Sequence, residues 1–159
     1  METPEPLIVD LARLGAGEQL RGETDPSALD LGPVDGLVVP KGGMRYDLRV
    51  ERLGGELLVR GRVAQSMTCV CSRCAEPFES EAVDGAYTAI YPVEAGTEYV
   101  DLTPEMREAI ILALPGYLVC RSECRGLCHV CGRNLNRGKC TCKSSASGQW
   151  SALDQLDRL

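Results

Sequence analysis

The stretch Arg45-Tyr46-Asp47-Leu48-Arg49-Val50-Glu51-Arg52-Leu53-Gly54-Gly55-Glu56-Leu57-Leu58-Val59-Arg60-Gly61-Arg62-Val63 decides the fold class of this chain. Tyr46, Leu48, Val50 and Arg52 alternate with Arg45, Asp47, Arg49 and Glu51, and beyond Gly54-Gly55 the residues Leu57, Val59, Gly61 and Val63 alternate with Leu58, Arg60 and Arg62. A period of two marks a half-buried strand, and two such runs joined by Gly-Gly mark a β-hairpin. Upstream, the apolar runs Pro6–Asp10 and Leu37–Val39 predict two short strands, while residues 15–36, rich in Gly, Pro, Asp and Ser, predict a loop. Downstream, Val70–Cys71, Phe78–Val83 and Gly85–Tyr91 are further strand candidates. The period then changes. Thr103 is placed to cap a helix, Pro104 to occupy its first position and Glu105 to supply an early acid. Met106, Ala109, Ile110, Ala113 and Leu114 form one stripe, so a helix is expected over 104–114, ended by Pro115-Gly116. The expected class is α+β: an antiparallel β-sheet domain with one main packing helix over residues 1–115, followed by a cysteine-rich module at 116–143 and a linker and short amphipathic tail at 144–159. In that tail Trp150, Leu153 and Leu156 recur every three residues, either packing back on the body or docking on a partner.

Composition narrows the function classes. The chain has 159 residues, 44% hydrophobic and 25% charged, enough to build a core. No run approaches the roughly 20 apolar residues of a spanning helix, and the acidic start Met1-Glu2-Thr3-Pro4-Glu5-Pro6 lacks the apolar stretch of a secretory signal. Aromatic residues amount to 4%, which leaves few rings for base stacking and weakens the case for a single-strand binding platform. The net charge of -6 is unevenly spread. From Cys120 to Lys143 there are six cations (Arg121, Arg125, Arg133, Arg137, Lys139 and Lys143) and one anion, Glu123, so this segment carries +5 and the remainder -11. A basic module on an acidic body points to an electrostatic contact made by the module; the alternative is that the cations only neutralise nearby thiolates.

All nine cysteines lie between positions 69 and 142. In the cytoplasm, the compartment expected without an export signal, clustered cysteines read as metal ligands and not as disulfides. The firmest pair is Cys128-x2-Cys131-Gly132, because a two-residue spacer lets both thiolates reach one ion and the following glycine lets the chain turn beneath it. The second pair is Cys140 and Cys142, or two taken from Cys120, Cys124 and Cys140, and the six thiols could also hold two ions. Zinc is the expected metal, in a structural role. His129, inside the knuckle, reads as a surface residue. Upstream, Cys69-Val70-Cys71-Ser72-Arg73-Cys74 offers half of a second site through Cys71 and Cys74, a structural turn, or a thiol-redox pair; the last normally needs a βαβ setting, and this one is antiparallel. With one histidine there is no hydrolytic triad, and neither a Walker loop nor a dinucleotide fingerprint occurs, so no enzyme is expected.

Cys71-Ser72-Arg73-Cys74-Ala75-Glu76-Pro77-Phe78 resembles the Cys-x-x-Cys-x-x-Pro-Phe signature of the YceD family, the large ribosomal RNA subunit accumulation proteins. The stretch from Asp101 through Leu114-Pro115 is similar too. So are Cys120, the block Cys124-x-Gly126-Leu127-Cys128-x-x-Cys131-Gly132-x-Asn134-Leu135-Asn136, Cys140-x-Cys142 and the tail with Trp150, Leu153 and Leu156; the resemblance covers roughly residues 45–159. It implies a bacterial cytoplasmic protein, or a plastid relative, needed for accumulation of large-subunit (23S) ribosomal RNA and so for ribosome biogenesis. The expected partner is a large-subunit ribosomal RNA precursor or a large-subunit ribosomal protein, with no membrane and no small-molecule substrate. If RNA is the partner, the six cations named above are its expected contacts. The alternative is a cytosolic zinc-binding or thiol-redox protein unconnected with RNA.

Overall fold

The computed structural model describes residues 7–15, 17–24 and 36–142. Its elements run in the order β1 (Ile8–Asp10), β2 (Glu18–Glu23), β3 (Val38–Pro40), β4 (Arg45–Leu53), β5 (Glu56–Val70), β6 (Pro77–Pro92), β7 (Tyr99–Asp101) and α1 (Thr103–Leu112). The quoted stretch forms the hairpin β4–β5, turning at Gly54-Gly55 with Leu53 opposite Glu56. β5 is the axis of the sheet. One of its edges pairs with β4 and, beyond it, with β3; the other pairs along its length with β6, from Glu56 opposite Pro92 to Val70 opposite Pro77. β2 lies outside β4, and β1 pairs separately with β7. All these pairings are antiparallel.

Leu48, Val50, Leu57, Val59, Val63 and Met67 of the sheet are buried together with Leu102, Met106 and Ile110, so α1 closes the core over β5 and β6. Of the expected helix stripe, Met106 and Ile110 are fully buried, and Ala109, Ala113 and Leu114 pack partly buried against the same core. The buried Gln65 gives its amide N–H groups to the carbonyls of Lys41, Gly42 and Ser66, which holds the break between β3 and β4 against β5 without an unpaired polar group.

Four expectations are corrected. Residues 18–23 form β2 and not a loop: Glu18-Gln19-Leu20-Arg21-Gly22-Glu23 is an edge strand in which only Leu20 is partly covered by the core, so no apolar alternation announces it. Its charges find partners across the ladder, Arg21 with Asp47 at 3.1 Å. The two candidates at 78–83 and 85–91 are one strand, β6, which crosses Asp84-Gly85 through an irregularity opposite Gly61–Val63. Val70 is the last residue of β5, and Cys71 already belongs to the turn that follows. At α1 the cap position falls to Leu102, with no side-chain cap. The Thr103 hydroxyl instead accepts from the Leu7 N–H at 2.9 Å, and Asp101 Oδ1 accepts from the Thr103 N–H at 2.9 Å. The linker and the tail with Trp150, Leu153 and Leu156 lie outside the described residues.

Candidate metal centres

The β5–β6 connection Cys71-Ser72-Arg73-Cys74-Ala75-Glu76 is a knuckle: the Cys71 N–H donates to the Glu76 carbonyl at 2.9 Å and the Ala75 N–H to the Cys71 carbonyl at 2.9 Å. Cys128-His129-Val130-Cys131-Gly132-Arg133 repeats it bond for bond, Cys128 N–H to Arg133 carbonyl at 2.9 Å and Gly132 N–H to Cys128 carbonyl at 2.8 Å. In both, the residue after the second cysteine is left-handed, Ala75 at φ 56° and Gly132 at φ 70°.

Each knuckle meets a second pair of cysteines. Behind α1 the chain returns past the first knuckle, with the Ser72 N–H donating to the Leu118 carbonyl at 2.7 Å, and delivers Cys120 and Cys124. Cys71, Cys74, Cys120 and Cys124 form one tetrad, and Cys128, Cys131, Cys140 and Cys142 another, the sulfurs of each lying within 4.8 Å of one another. A metal ion bonded tetrahedrally to four thiolates at roughly 2.3 Å holds them about 3.8 Å apart. Cys71 to Cys124 and Cys74 to Cys120 both measure 3.9 Å, which suits that tetrahedron and is far beyond a disulfide bond. Either tetrad could hold a metal ion. Of the alternatives the sequence left open, the second tetrad joins Cys128 and Cys131 with Cys140 and Cys142, while Cys120 and Cys124 lie with Cys71 and Cys74, the half-site upstream. Cys69 stays in the hydrophobic core, where burial pushes its thiol up. His129 is exposed and belongs to neither tetrad.

The thiols are electrostatically unequal. Burial pushes Cys71 up, but the backbone N–H groups of Cys120, Cys74 and Arg73 together outweigh it and bring it to about 6. The Cys131 and Val130 backbone N–H groups bring Cys128 down to about 6. Cys120 is pushed up to about 12, by burial first and then by Cys124, and Cys142 to about 12, by Cys131 first. Within each tetrad the backbone N–H groups thus favour the thiolate, the form that ligates metal, at one knuckle cysteine, while the surroundings of another cysteine favour its protonated form.

The residues between Cys131 and Cys140 dock on the first tetrad. Arg137 pairs with Glu76 at 2.8 Å, and Asn134 Nδ2 donates to Glu76 Oε1 at 3.3 Å. Asn136 Oδ1 accepts from the Arg125 N–H at 2.9 Å and the Arg121 guanidinium at 3.0 Å. Both groups facing Oδ1 are donors, which fixes the amide orientation and leaves Nδ2 to donate to Asn134 Oδ1 at 2.9 Å and Cys124 Sγ at 3.4 Å. At Gly126 an added Cβ would meet the Arg73 carbonyl oxygen at 3.0 Å, and the Leu127 N–H donates to that same oxygen at 3.0 Å. In the sequence Asn134 and Asn136 stand only within the block that resembles the family, and nothing there links Glu76 to them. Their alternate spacing between two cysteine pairs was the available signal.

Arg121, Arg125, Arg133, Arg137 and Lys139 are all exposed on this module, but not equally free. Arg137 and Arg121 are engaged as above, and Arg133 donates to the Lys139 carbonyl at 3.4 Å. Arg125 and Lys139 line one shallow depression with Leu135 and Cys140. Lys143 lies outside the described residues. Among the described residues no helix is long and apolar enough to cross a membrane.

The fold is thus a mostly antiparallel sheet with one helix, whose β5–β6 knuckle and the segment 118–142 bring eight cysteines into two clusters that could each hold a metal ion. The family described as large ribosomal RNA subunit accumulation protein YceD matches residues 88–157. An uncharacterised protein of Mycobacterium tuberculosis is 33% identical over 146 residues, covering 80% of this chain and 70% of that protein. One of Mycobacterium leprae is 30% identical over 150 residues, covering 82% and 68%. The Zea mays protein named large ribosomal RNA subunit accumulation protein YCED homolog 1, chloroplastic, is 26% identical over 180 residues, covering 84% of this chain and 61% of its own length. No solved structure matches. The chain belongs to the YceD family.

Proposed function

We propose that this chain is a non-enzymatic factor for accumulation of large-subunit (23S) ribosomal RNA. In this reading two structural zinc ions hold the basic segment 120–142, a ribbon, against the acidic body, and the ribbon contacts the RNA of large-subunit precursors in the cytoplasm. The family supports the link to large-subunit RNA. The single observation that carries the zinc reading is the pair of all-thiolate tetrads, since four protein ligands close the coordination shell and leave no position for a reacting water. Cys71, Cys74, Cys120 and Cys124 hold one ion; Cys128, Cys131, Cys140 and Cys142 hold the other. A redox role for Cys71 and Cys74 has less support, because they sit at the end of an antiparallel hairpin among two further thiols.

Among the cations, Arg125, Arg133 and Lys139 carry the RNA contact, while Arg121 and Arg137 first serve the ribbon itself. One observation favours a second reading, in which the partner is a basic large-subunit ribosomal protein. A groove of about 590 Å³ between α1 and β6 is lined by Asp84, Glu105 and Glu108 with Ile90 and Leu112. Pull-down of the tagged chain from growing cells, with RNA and protein identification, tests the function. Large-subunit precursor RNA in the bound fraction, lost when Arg125, Arg133 and Lys139 are reversed to Glu, supports the RNA contact. Precursor particles retained by that variant but lost on Glu105→Lys with Glu108→Lys favour the protein contact. Absence of any precursor, together with an unchanged ratio of large- to small-subunit RNA after gene deletion, overturns the assembly role.

A further inference from the structure

We propose that the two cysteine tetrads load their ions cooperatively, and that Asn136 is the positioning residue that couples them. The inference rests on the zinc reading above and adds to it a dependence of one site on the other.

Asn136 lies between Cys131 and Cys140, so its place is fixed by the turn that the second tetrad closes. Its side chain nevertheless serves the first tetrad, where Nδ2 donates to Cys124 Sγ at 3.4 Å. An N–H donor stabilises a thiolate and orients its lone pairs, and partners of this kind typically alter metal affinity 10–100-fold. All four hydrogen-bonding positions of the amide are used, two by donors at Oδ1 and two by acceptors at Nδ2, so it holds one orientation.

The reverse path is equally material. Closing the first tetrad fixes Cys124, and with it Gly126 and Leu127 against the Arg73 carbonyl. Gly126 then accepts from the Leu135 N–H at 2.9 Å, and Leu127 bridges to Asn134, which squares the second knuckle for its ion. The ribbon has little apolar support of its own, Leu127 being 42% and Val130 54% exposed. Its order therefore comes from the two ions and these hydrogen bonds, and each ion completes part of the other's scaffold. Linkage makes the coupling equal in both directions.

The test titrates the reduced, ion-free full chain with cobalt(II), reading sulfur-to-cobalt charge transfer, and then with zinc in competition with a chelator of known affinity. Cys131→Ser with Cys142→Ser disables the second tetrad. The affinity of the first tetrad should then fall ten-fold or more. Asn136→Ala in the otherwise intact chain should give a drop of similar size. In the chain lacking the second tetrad it should add little, because the side chain is no longer held in place. Asn136→Asp separates positioning from mere scaffolding: it keeps the acceptor for Arg125 and Arg121 but turns an oxygen toward the sulfur. It should bind cobalt at the first tetrad more weakly than Asn136→Ala and shift its charge-transfer band. The sheet signal in circular dichroism checks that each variant is folded. Unchanged affinity at the first tetrad when the second is disabled, effects that simply multiply, or native affinity in Asn136→Asp would each overturn the coupling. Uptake by neither tetrad of the unaltered chain overturns the zinc reading itself, a result distinct from two independent sites.

Discussion

Ala75 and Gly132 occupy the same place in two turns with the same backbone hydrogen bonds, both left-handed, yet only one of them is a glycine. A side chain at such a backbone angle costs roughly 1–2 kcal/mol, which glycine avoids. Gly132→Ala should therefore weaken zinc retention at the second tetrad by about ten-fold, while Ala75→Gly should leave the first tetrad as tight or tighter. Competition with a zinc chelator measures both. Equal losses in the two variants would contradict the equivalence of the turns.

Metal removal should be local. The core under α1 contains none of the eight clustered thiols, so the sheet has its own means of staying folded. Stripping the reduced protein with a strong chelator should raise hydrogen exchange at 71–76 and 118–142 while β4 and most of β5 remain protected. Collapse of sheet protection at the same chelator concentration would mean that sheet and ribbon form one cooperative unit.

Truncating the helix contact should cost far more than changing the ribbon surface. Met106 and Ile110 are 0% and 1% exposed, and removal of either side chain to Ala is expected to cost about 2–5 kcal/mol. By contrast Arg137→Ala, which breaks an exposed pair with Glu76, should cost at most about 1 kcal/mol. Thermal unfolding of the metal-loaded chain compares them.

If RNA is bound through the ribbon, association should weaken with salt, and each cation removed should flatten the dependence by about 0.7–0.9 in slope. Reversal of Arg125, Arg133 and Lys139 should flatten it most per residue changed. Arg137→Ala should do less, since that guanidinium is already paired with Glu76. A slope that ignores all four positions would remove the ribbon from the interface.

The hairpin, the helix stripe and the Cys128-x2-Cys131 knuckle were legible because each is a local pattern. Period two, period 3.6 and ligand spacing are all read within a few residues. β2 was hidden because an edge strand with Leu20 as its one partly covered apolar residue has no apolar alternation to read, and it is held by pairing with β4. The pairing of Cys71 and Cys74 with Cys120 and Cys124 was hidden for another reason. It depends on where the chain returns after α1, some 46 to 53 residues along, and spacing carries no information about that return. Asn136 shares the second limit, since its place between two cysteine pairs says nothing of what its amide touches.

The ladder between β5 and β6 is the longest in the fold, and it ends in the loop that carries Cys71 and Cys74. In such a ladder a slip of one residue turns every side chain to the opposite face. It would also carry these two sulfurs away from Cys120 and Cys124. The metal clasp thus acts as a proofreader of strand pairing: only a chain whose two long strands have met in the right frame can close it.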